Sequence, residues 1–508
     1  MNLKKNNFLL YFLLSIPGVL CGLALIIGTI KDAFGILFFY GWTLLAIKNI
    51  HAAIIIFFFL IPLERNNPFF SLDELFIIKS ILIFILFIVW FISKLKTYSI
   101  LKNIFSDNNF TPFWILFLFL FVLSTLYSIN ITQSFRQLVL VISICFLYYI
   151  YCEVLQKKQI IKLSLWTLSI TSAGVAVITI LQYFIIRYHI LSVLEPFLIP
   201  KRFQFQNILG GLTEIHKHRS YGTFSHPNLL GAYLSLCLPI SFIFCLMQKK
   251  IGQRVVTYCI FILLIIALFL SNSRASILSS TVSMSYIIFS LVKQKRKILS
   301  IFAVVTIIMI LSVVSYSPLS EYFSNYLRLK SKISNRELLW VGAIDIVSNN
   351  KMLGTGPATF SMAYHALHGM PAANSPDFLV EDIYESRRVG KAMHQPKLTA
   401  HNLFLQYAVN IGLFGPVLII FFYFTYFKCI FSTLKIKNTN MFYRYLLIGT
   451  SSVVFGTLIH GIFESSIFME QPFQSYLFIY MVSLTMICKK KIVTNINLHS
   501  LNQTIPNA

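Results

Sequence analysis

Two basic side chains stand at the ends of the longest polar stretch of this sequence. Arg336 lies near its start, and His401 lies where the chain returns to an apolar run, HNLFLQYAVNIGLFG. The planar guanidinium of arginine bonds two phosphate oxygens at once. Histidine can accept a proton from an attacking hydroxyl near neutral pH. We therefore predict chemistry on a charged lipid head group at the surface of a membrane.

Further candidates stand beside other apolar runs. Ionisable groups at membrane depth are costly and are therefore functional candidates. Several arginines around one cavity could hold a pyrophosphate, with a histidine as the base. The predicted phosphate-binding side chains are Arg136, Arg219, Arg274 and Arg336; His401 and Arg336 are the predicted catalytic residues; Asn402, His226, Gly354 and Gly356 are predicted to support them.

Each candidate also has a purely structural interpretation. Arg136 could be an interfacial side chain that extends towards the head groups. Arg274, after Ser-Asn-Ser, could anchor a helix end, and His401 with Asn402 could cap a helix. His226 precedes Pro227 and is typical of a helix entry. These alternatives stay open at the level of the residues.

The glycines and histidines of the polar stretch predict neither a nucleotide cradle nor a metal site. Gly354 and Gly356 indicate a tight turn, because no Gly-Lys-Ser/Thr follows them. His365, His368 and His394 could meet, but no matching carboxylate set or H-E-x-x-H motif accompanies them. We therefore expect no metal and no cofactor.

The composition indicates an all-α polytopic membrane protein. Of 508 residues, 57% are hydrophobic and 12% are charged, about half the charged fraction of soluble proteins. Apolar runs of about 20 residues, long enough to cross a bilayer as helices, recur along the chain. The formal net charge of +25 comes from lysines near the ends of these runs, which indicates contact with membrane lipids and no nucleic-acid binding.

Charge bias orients the predicted spans. The basic loops fall on one side, the cytoplasm, if about 12–14 helices cross the membrane. This parity favours two short helices in the uncertain segment 33–63 and about 14 spans, whereas one span with a re-entrant piece in that segment would leave 12. The large polar loop faces outward in this arrangement. The spans are predicted near residues 8–28, 33–47, 50–63, 74–94, 112–129, 135–154, 162–187, 228–247, 253–271, 275–291, 298–316, 402–427, 443–461 and 471–488.

This arrangement divides the chain into four parts. They are an N-terminal helix bundle (1–316), a large periplasmic loop (317–400), C-terminal membrane helices (401–488) and a cytoplasmic tail (489–508), which is polar and predicted to be disordered after Thr494. Apolar residues at helical spacing after Asn335 predict a helix that ends at Asn349 and Asn350. A second short helix is expected after the Gly354-Thr-Gly356-Pro turn.

Four motifs in series resemble the O-antigen ligase and O-antigen polymerase superfamily. They are RSYGTFSHPNLLGAYL, LSNSRAS, NRELLW with LGTGPATF, and HNLFLQYAVNIGLFG, which together run from Arg219 to Gly415. The resemblance implies a bacterial inner-membrane protein with its active site facing the periplasm, similar to metal-independent GT-C-type glycosyltransferases. It implies that His401 is the base and that Arg219, Arg274 and Arg336 engage undecaprenyl pyrophosphate.

The acceptor stays open within this family. An O-antigen ligase would transfer the undecaprenyl-pyrophosphate-linked glycan to lipid A–core, and this is the preferred expectation. A polymerase would use another lipid-linked glycan as acceptor, and a protein O-oligosaccharyltransferase would use a protein. A transporter of lipid-linked sugars is the least favoured alternative. It predicts inverted repeats and functional groups near mid-membrane, whereas the sequence shows no such repeat and its candidate residues are predicted at the outer face.

Overall fold

The computed structural model describes residues 30–63, 72–95, 110–188, 219–292, 336–368, 398–436, 439–465 and 472–503. All the secondary-structure elements in these ranges are α-helices. In chain order they are α1 (Ile30–Lys48), α2 (Ile50–Leu60), α3 (Leu72–Leu95), α4 (Thr111–Leu126), α5 (Ile131–Val154), α6 (Lys158–Tyr188), α7 (Pro227–Met247), α8 (Ile251–Ser271), α9 (Arg274–Leu291), α10 (Arg336–Asn349), α11 (Phe360–His368), α12 (Leu403–Ile411), α13 (Phe414–Leu434), α14 (Met441–Phe463) and α15 (Pro472–Gln503).

Six of these helices are long and apolar enough to cross a membrane, so the prediction of an all-α polytopic membrane protein is confirmed. They are α5, α6, α7, α8, α13 and α14, and shorter apolar helices occur within α1 to α4. The total of 12–14 spans stays a prediction, because the expected spans 8–28 and 298–316 lie outside the described residues.

The segment 33–63 forms two helices, as the charge bias favoured. The helical conformation is interrupted at Asn49, between α1 and α2. Asn49 has an extended backbone and its side chain accepts a hydrogen bond from the Ala52 amide, at 3.2 Å. This contact satisfies one of the amides that a helix start leaves without an intrahelical partner, and so separates the two helices.

The prediction of one continuous span at 402–427 is wrong. The structure has two helices here, α12 and α13, separated at Gly412. Gly412 has φ +73°, and an added Cβ would overlap the Met352 carbonyl. The Leu413 amide donates to the Lys351 carbonyl at 2.9 Å, so tertiary contact with the polar loop breaks an otherwise continuous apolar pattern.

The C-terminal end also differs from expectation. The sequence predicted a disordered tail after the last span, whereas α15 continues as a helix to Gln503. The residues beyond the apolar part lack Pro and Gly up to that point, so nothing in their local chemistry ends the helix.

The described part of the polar loop packs as a small core of its own. Both predicted loop helices are confirmed, as α10 and α11. They pack on each other and on α12. The buried apolar side chains of this core are Leu339, Ala343, Ile346, Val347, Phe360, Ala363, Leu398, Ala400, Ala408 and Val409. Because α10 begins with Arg336, this packing fixes the position of the Arg336 backbone.

The helices that lead to the candidate residues form a tightly packed group. α14 packs against α9, α7 and α15, and α7 also packs against α8 and α9. On α14, Ser452, Gly456, His460 and Glu464 recur every fourth residue, which places them on one side of the helix. Hydroxyls of α9 reach this side, as Ser279 donates to the Gly456 carbonyl at 2.7 Å.

Candidate functional site

Six helix ends meet at one end of the bundle. These are the starts of α7, α9, α10 and α12 and the ends of α8 and α14. The segment 219–226, just before α7, lies among them, since the Ser220 amide donates to the Leu270 carbonyl at 3.1 Å. Residues far apart in the sequence are thereby brought to one place.

The centre of this place is Glu464, the residue that ends α14. One carboxylate oxygen, Oε1, accepts from Arg336 Nη2 at 2.6 Å and from Asn228 Nδ2 at 3.0 Å. The other, Oε2, lies 2.7 Å from His401 Nδ1. We call Arg219, Asn228, Arg336, His401 and Glu464 the Glu464 cluster.

Burial differs within the cluster. The side chain of Glu464 is 14% exposed, whereas those of Arg336 and His401 are 28% and 33% exposed. The carboxylate therefore lies behind the two basic groups, which keep a surface that a substrate could reach. A negative head group would meet the cations first.

The backbone at His401 is strained. Its φ is +45°, a left-handed conformation that is uncommon for a residue with a side chain. Asn402 follows it, caps α12 by accepting from the Phe404 and Leu405 amides, and donates from Nδ2 to the Ile462 carbonyl at 3.0 Å. The cap thus ties the start of α12 to the end of α14, which holds His401 beside Glu464.

Arg219 occupies a buried position in the cluster, with 4% of its surface exposed. Its Nη2 donates to Asn228 Oδ1 at 2.7 Å and its Nε donates to the Ser271 carbonyl at 3.1 Å. These contacts orient Asn228 towards Glu464 and close the gap between α7 and α8. The predicted contact of Arg219 with pyrophosphate stays a prediction.

The loop that carries Arg219 is itself anchored by a buried glutamine. Gln182 Oε1 accepts from the Tyr221 and Gly222 amides at 3.0 and 2.7 Å, and its Nε2 donates to the Gly222 carbonyl at 2.8 Å. Thr223 donates to the Pro62 carbonyl at 2.6 Å. Four backbone groups of neighbouring segments are satisfied in this way, so the loop is a fixed part of the site.

Arg274 stands at the edge of the cluster as the exposed first residue of α9. Partial burial lowers the pKa of its guanidinium, and the nearby positive charge of Arg336 lowers it further. Two arginines close enough to repel each other form a region of positive potential. An anion placed between them would relieve that repulsion.

The charges around Glu464 keep it ionised. Burial by itself raises the pKa of the Glu464 carboxyl, but His401, Arg336 and His460 outweigh burial and hold the pKa well below its ordinary range. A carboxyl with a lowered pKa stabilises the fold above its unfolded pKa of about 4.3, and loses that contribution as the pH falls towards the folded value. The cluster therefore keeps its anion throughout the neutral range.

The remaining predicted residues lie around the cluster. His226 caps α7, since its Nδ1 accepts from the Asn228 amide at 3.1 Å, which matches its structural interpretation as a helix entry. Arg136 is exposed near the start of α5. Its role in phosphate binding stays a prediction.

Gly354 and Gly356 form the tight turn that the sequence indicated. Their φ angles are +70° and +107°, and an added Cβ would overlap the Val409 carbonyl at the first and Ser128 at the second. Between them, the Thr355 amide donates to the Val409 carbonyl at 2.8 Å. The turn fastens the polar loop to α12 and to the α4–α5 connection, whereas the predicted supporting role of the two glycines in the site stays a prediction.

Sequence reasoning missed Glu464 and Asn228. Glu464 does carry a signal, because it is an acid at the end of an apolar run in a chain with only 17 acidic residues. Its spacing of four residues from His460 and eight from Gly456 would have placed it on the packed side of α14. Asn228 was hidden in the helix-entry motif beside His226.

No group of three or more His, Cys, Asp or Glu side chains within the described ranges is arranged to hold a metal ion. The Glu464 cluster itself provides cationic donors for an anion and an imidazole paired with a carboxylate.

These features define a multi-pass membrane protein with a cationic site at one end of its helix bundle. Residues 259–420, about a third of the chain, match the family model described as O-antigen ligase, which confirms the resemblance to the O-antigen ligase and polymerase superfamily. Arg274, Arg336 and His401 lie within the matched residues, and Arg219, Asn228 and Glu464 lie outside them. A comparison with curated proteins finds no match.

Proposed function

We propose that this protein is an O-antigen ligase, which transfers glycan from undecaprenyl pyrophosphate to a hydroxyl of lipid A–core at the periplasmic face of the bacterial inner membrane. The main support is the convergence of His401 and Arg336, each with an accessible surface, on one largely buried carboxylate beside Arg274. The match to the O-antigen ligase family over these residues favours glycan transfer over other reactions of a phosphate site.

The donor pyrophosphate would bind to the exposed arginines. Arg336 keeps 28% of its side chain exposed and Arg274 is exposed beside it, and Arg136 is a further candidate from the start of α5. Arg219 would contribute mainly by orienting Asn228, since two of its nitrogens already donate to protein oxygens. Arginine suits this task because its donors match a phosphate in pairs.

Transfer would proceed in one inverting displacement. His401 accepts the proton of the acceptor hydroxyl while the oxygen of that hydroxyl forms a bond to the anomeric carbon of the donor. The bond from that carbon to the pyrophosphate oxygen breaks, and undecaprenyl pyrophosphate leaves with the electron pair. The arginines stabilise the charge that develops on the leaving phosphate. The donor is already activated, so the residues of the site suffice without a nucleotide or metal.

The first test is His401→Ala, compared with His368→Ala as a matched control. His368 is also a partly exposed histidine of the polar loop, but it lies at the end of α11 and faces Asp345. A general base contributes on the order of 10²–10⁴-fold to a rate. We expect His401→Ala to insert into the membrane and lose transfer by about that factor, whereas His368→Ala retains it.

The measurement uses a host from which the gene has been deleted, complemented with each variant. Lipopolysaccharide and undecaprenyl-linked glycan are extracted and compared on gels. Core without O-chain, together with long polymer still on undecaprenyl pyrophosphate, supports the ligase. Core that carries a single repeat unit indicates a polymerase instead, and an unchanged profile indicates a protein or another glycan as acceptor. Full activity of His401→Ala contradicts the mechanism in every case.

A further inference from the structure

We infer that Glu464 is a positioning residue for the reaction, whose carboxylate holds His401 so that its Nε2 atom receives the proton of the acceptor hydroxyl. The inference rests on the proposed function, since it concerns the same base. It adds a residue that lies outside both the four sequence motifs and the segment matched to the family model.

The first step of the argument is the direction of the hydrogen bond. Oε2 of Glu464 and Nδ1 of His401 are 2.7 Å apart. An ionised carboxylate only accepts hydrogen bonds, so Nδ1 must carry the proton and donate it. In a neutral imidazole the other nitrogen then holds the lone pair. Glu464 therefore selects the tautomer in which Nε2 is the basic atom.

The second step is the rigidity of the carboxylate. Oε1 accepts from both Arg336 and Asn228, so the carboxylate is held at both of its oxygens. Its own amide donates to the His460 carbonyl at 2.9 Å, which places Glu464 directly on the end of α14. A base that is oriented by a group on a rigid element keeps its geometry during the reaction.

The third step is charge. Once His401 takes the proton it becomes an imidazolium, and the adjacent carboxylate stabilises that cation. Within the described part of the chain, the other charged and titratable groups around this pair are Arg336 from α10, His460 from α14, Arg274 from α9 and, through Asn228, Arg219. All of them are basic. Without Glu464, the protonated imidazole would keep the arginines as neighbours and lose the carboxylate that balances their charge.

A competing explanation is that Glu464 only holds Arg336 for the donor. The two explanations differ in kinetics, because positioning of the base affects the chemical step whereas positioning of Arg336 affects donor binding. Loss of the first lowers kcat, and loss of the second raises KM for the lipid-linked glycan. The separation of kcat from KM therefore decides between them.

The experiment measures transfer by the purified full-length protein in detergent, with undecaprenyl-pyrophosphate-linked glycan and a lipid acceptor. The variants are Glu464→Gln, which keeps the shape of the side chain and removes its charge, and Glu337→Gln as control. Glu337 is an exposed acid next to Arg336 on α10. Rates are recorded between about pH 5 and pH 9, the range in which a histidine base changes its charge.

We expect Glu464→Gln to lower kcat on the order of 10²-fold or more, as expected when an orienting carboxylate is removed. The acidic limb of its pH–rate profile should move to lower pH, because glutamine no longer stabilises the protonated imidazole. Glu337→Gln should keep both the rate and the profile of the unaltered protein. A purely structural loss would lower the amount of active protein without moving the acidic limb.

A double variant tests whether Glu464 acts through His401. When His401 is already alanine, Glu464→Gln should cause little further loss, because the group that it orients is gone. Glu464→Gln with unchanged kcat and an unmoved acidic limb, or with only a raised KM, overturns this inference. Full activity of His401→Ala overturns the proposed function itself, so the two failures are distinguishable.

Discussion

Two regions of α14 differ in the contacts that they make, although their side chains follow one another along the same side of the helix. One region packs on α9, and the other is the Glu464 cluster at the end of the helix. Along the packed part, which we call the α9–α14 seam, Ser279 and Ser283 donate to the backbone carbonyls of Gly456 and Ser452. At the end of the line, Glu464 bonds charged side chains instead.

The difference follows from the surroundings of the two regions. In the hydrocarbon part of a membrane a polar group must be satisfied by its neighbours, and small residues let two backbones approach closely enough for this. Past the end of the span, charged groups can keep an exposed surface. We therefore expect the seam to govern stability and the cluster to govern activity.

Arg336→Lys should show the largest difference between an effect on activity and an effect on stability. Lysine keeps the charge but cannot bond phosphate oxygens in pairs, and hydrogen bonds to charged groups contribute about 1.5–3 kcal/mol. We expect transfer to fall on the order of 10-fold to 100-fold, with little change in the unfolding midpoint in detergent. Arg254→Lys is the control, because Arg254 bonds the Gln248 carbonyl between α7 and α8, away from the cluster. Equal losses in both variants would contradict the assignment.

Gly456→Ala tests the seam. An added Cβ would lie 3.0 Å from the Ser279 carbonyl and would overlap the Ser283 hydroxyl, so α9 and α14 would have to separate. Overpacking of this kind costs about 1–3 kcal/mol. We expect a lowered free energy of unfolding in denaturant titrations, and a smaller loss of transfer per folded molecule than Arg336→Lys shows.

The matched control for this substitution is Gly252→Ala in α8. Nothing lies within 4 Å of the position of its added Cβ, and alanine favours a helix over glycine by about 1 kcal/mol. Its stability should stay equal or rise. If both glycine variants were equally stable, the close approach of α9 and α14 would not matter.

The smallest expected effect is that of Ser279→Ala. A hydrogen bond between membrane helices contributes about 0.6 kcal/mol on average. Ser285→Ala is the control on the same helix, because its hydroxyl donates to the Thr281 carbonyl within α9. We expect a small loss of stability in the first variant alone, with transfer unchanged in both. A large loss of transfer in Ser279→Ala would erase the distinction between the two regions.

Much of the helical architecture could be predicted because its causes are local. Apolar runs and their spacing placed the helices of the described part, including α10 and α11 in the polar loop. The break at Gly412 could not be predicted, since its cause is a contact with Lys351, which the sequence separates widely from it. A single glycine within an apolar run is compatible with a continuous helix, so Gly412 by itself did not indicate the break.

The sequence by itself determined which residue types were available, a few basic groups beside apolar runs and a histidine at the end of a polar loop. Only the tertiary structure decided which of them meet. It joined Glu464 to Arg336 and His401 by hydrogen bonds, and it buried Arg219 where its guanidinium donates to Asn228. It also placed Gly354 and Gly356 in a turn that packs on α12 and on the α4–α5 connection. The physical reason is that hydrogen bonds and charge pairs act over a few ångströms in space, whereas the sequence specifies only neighbours along the chain.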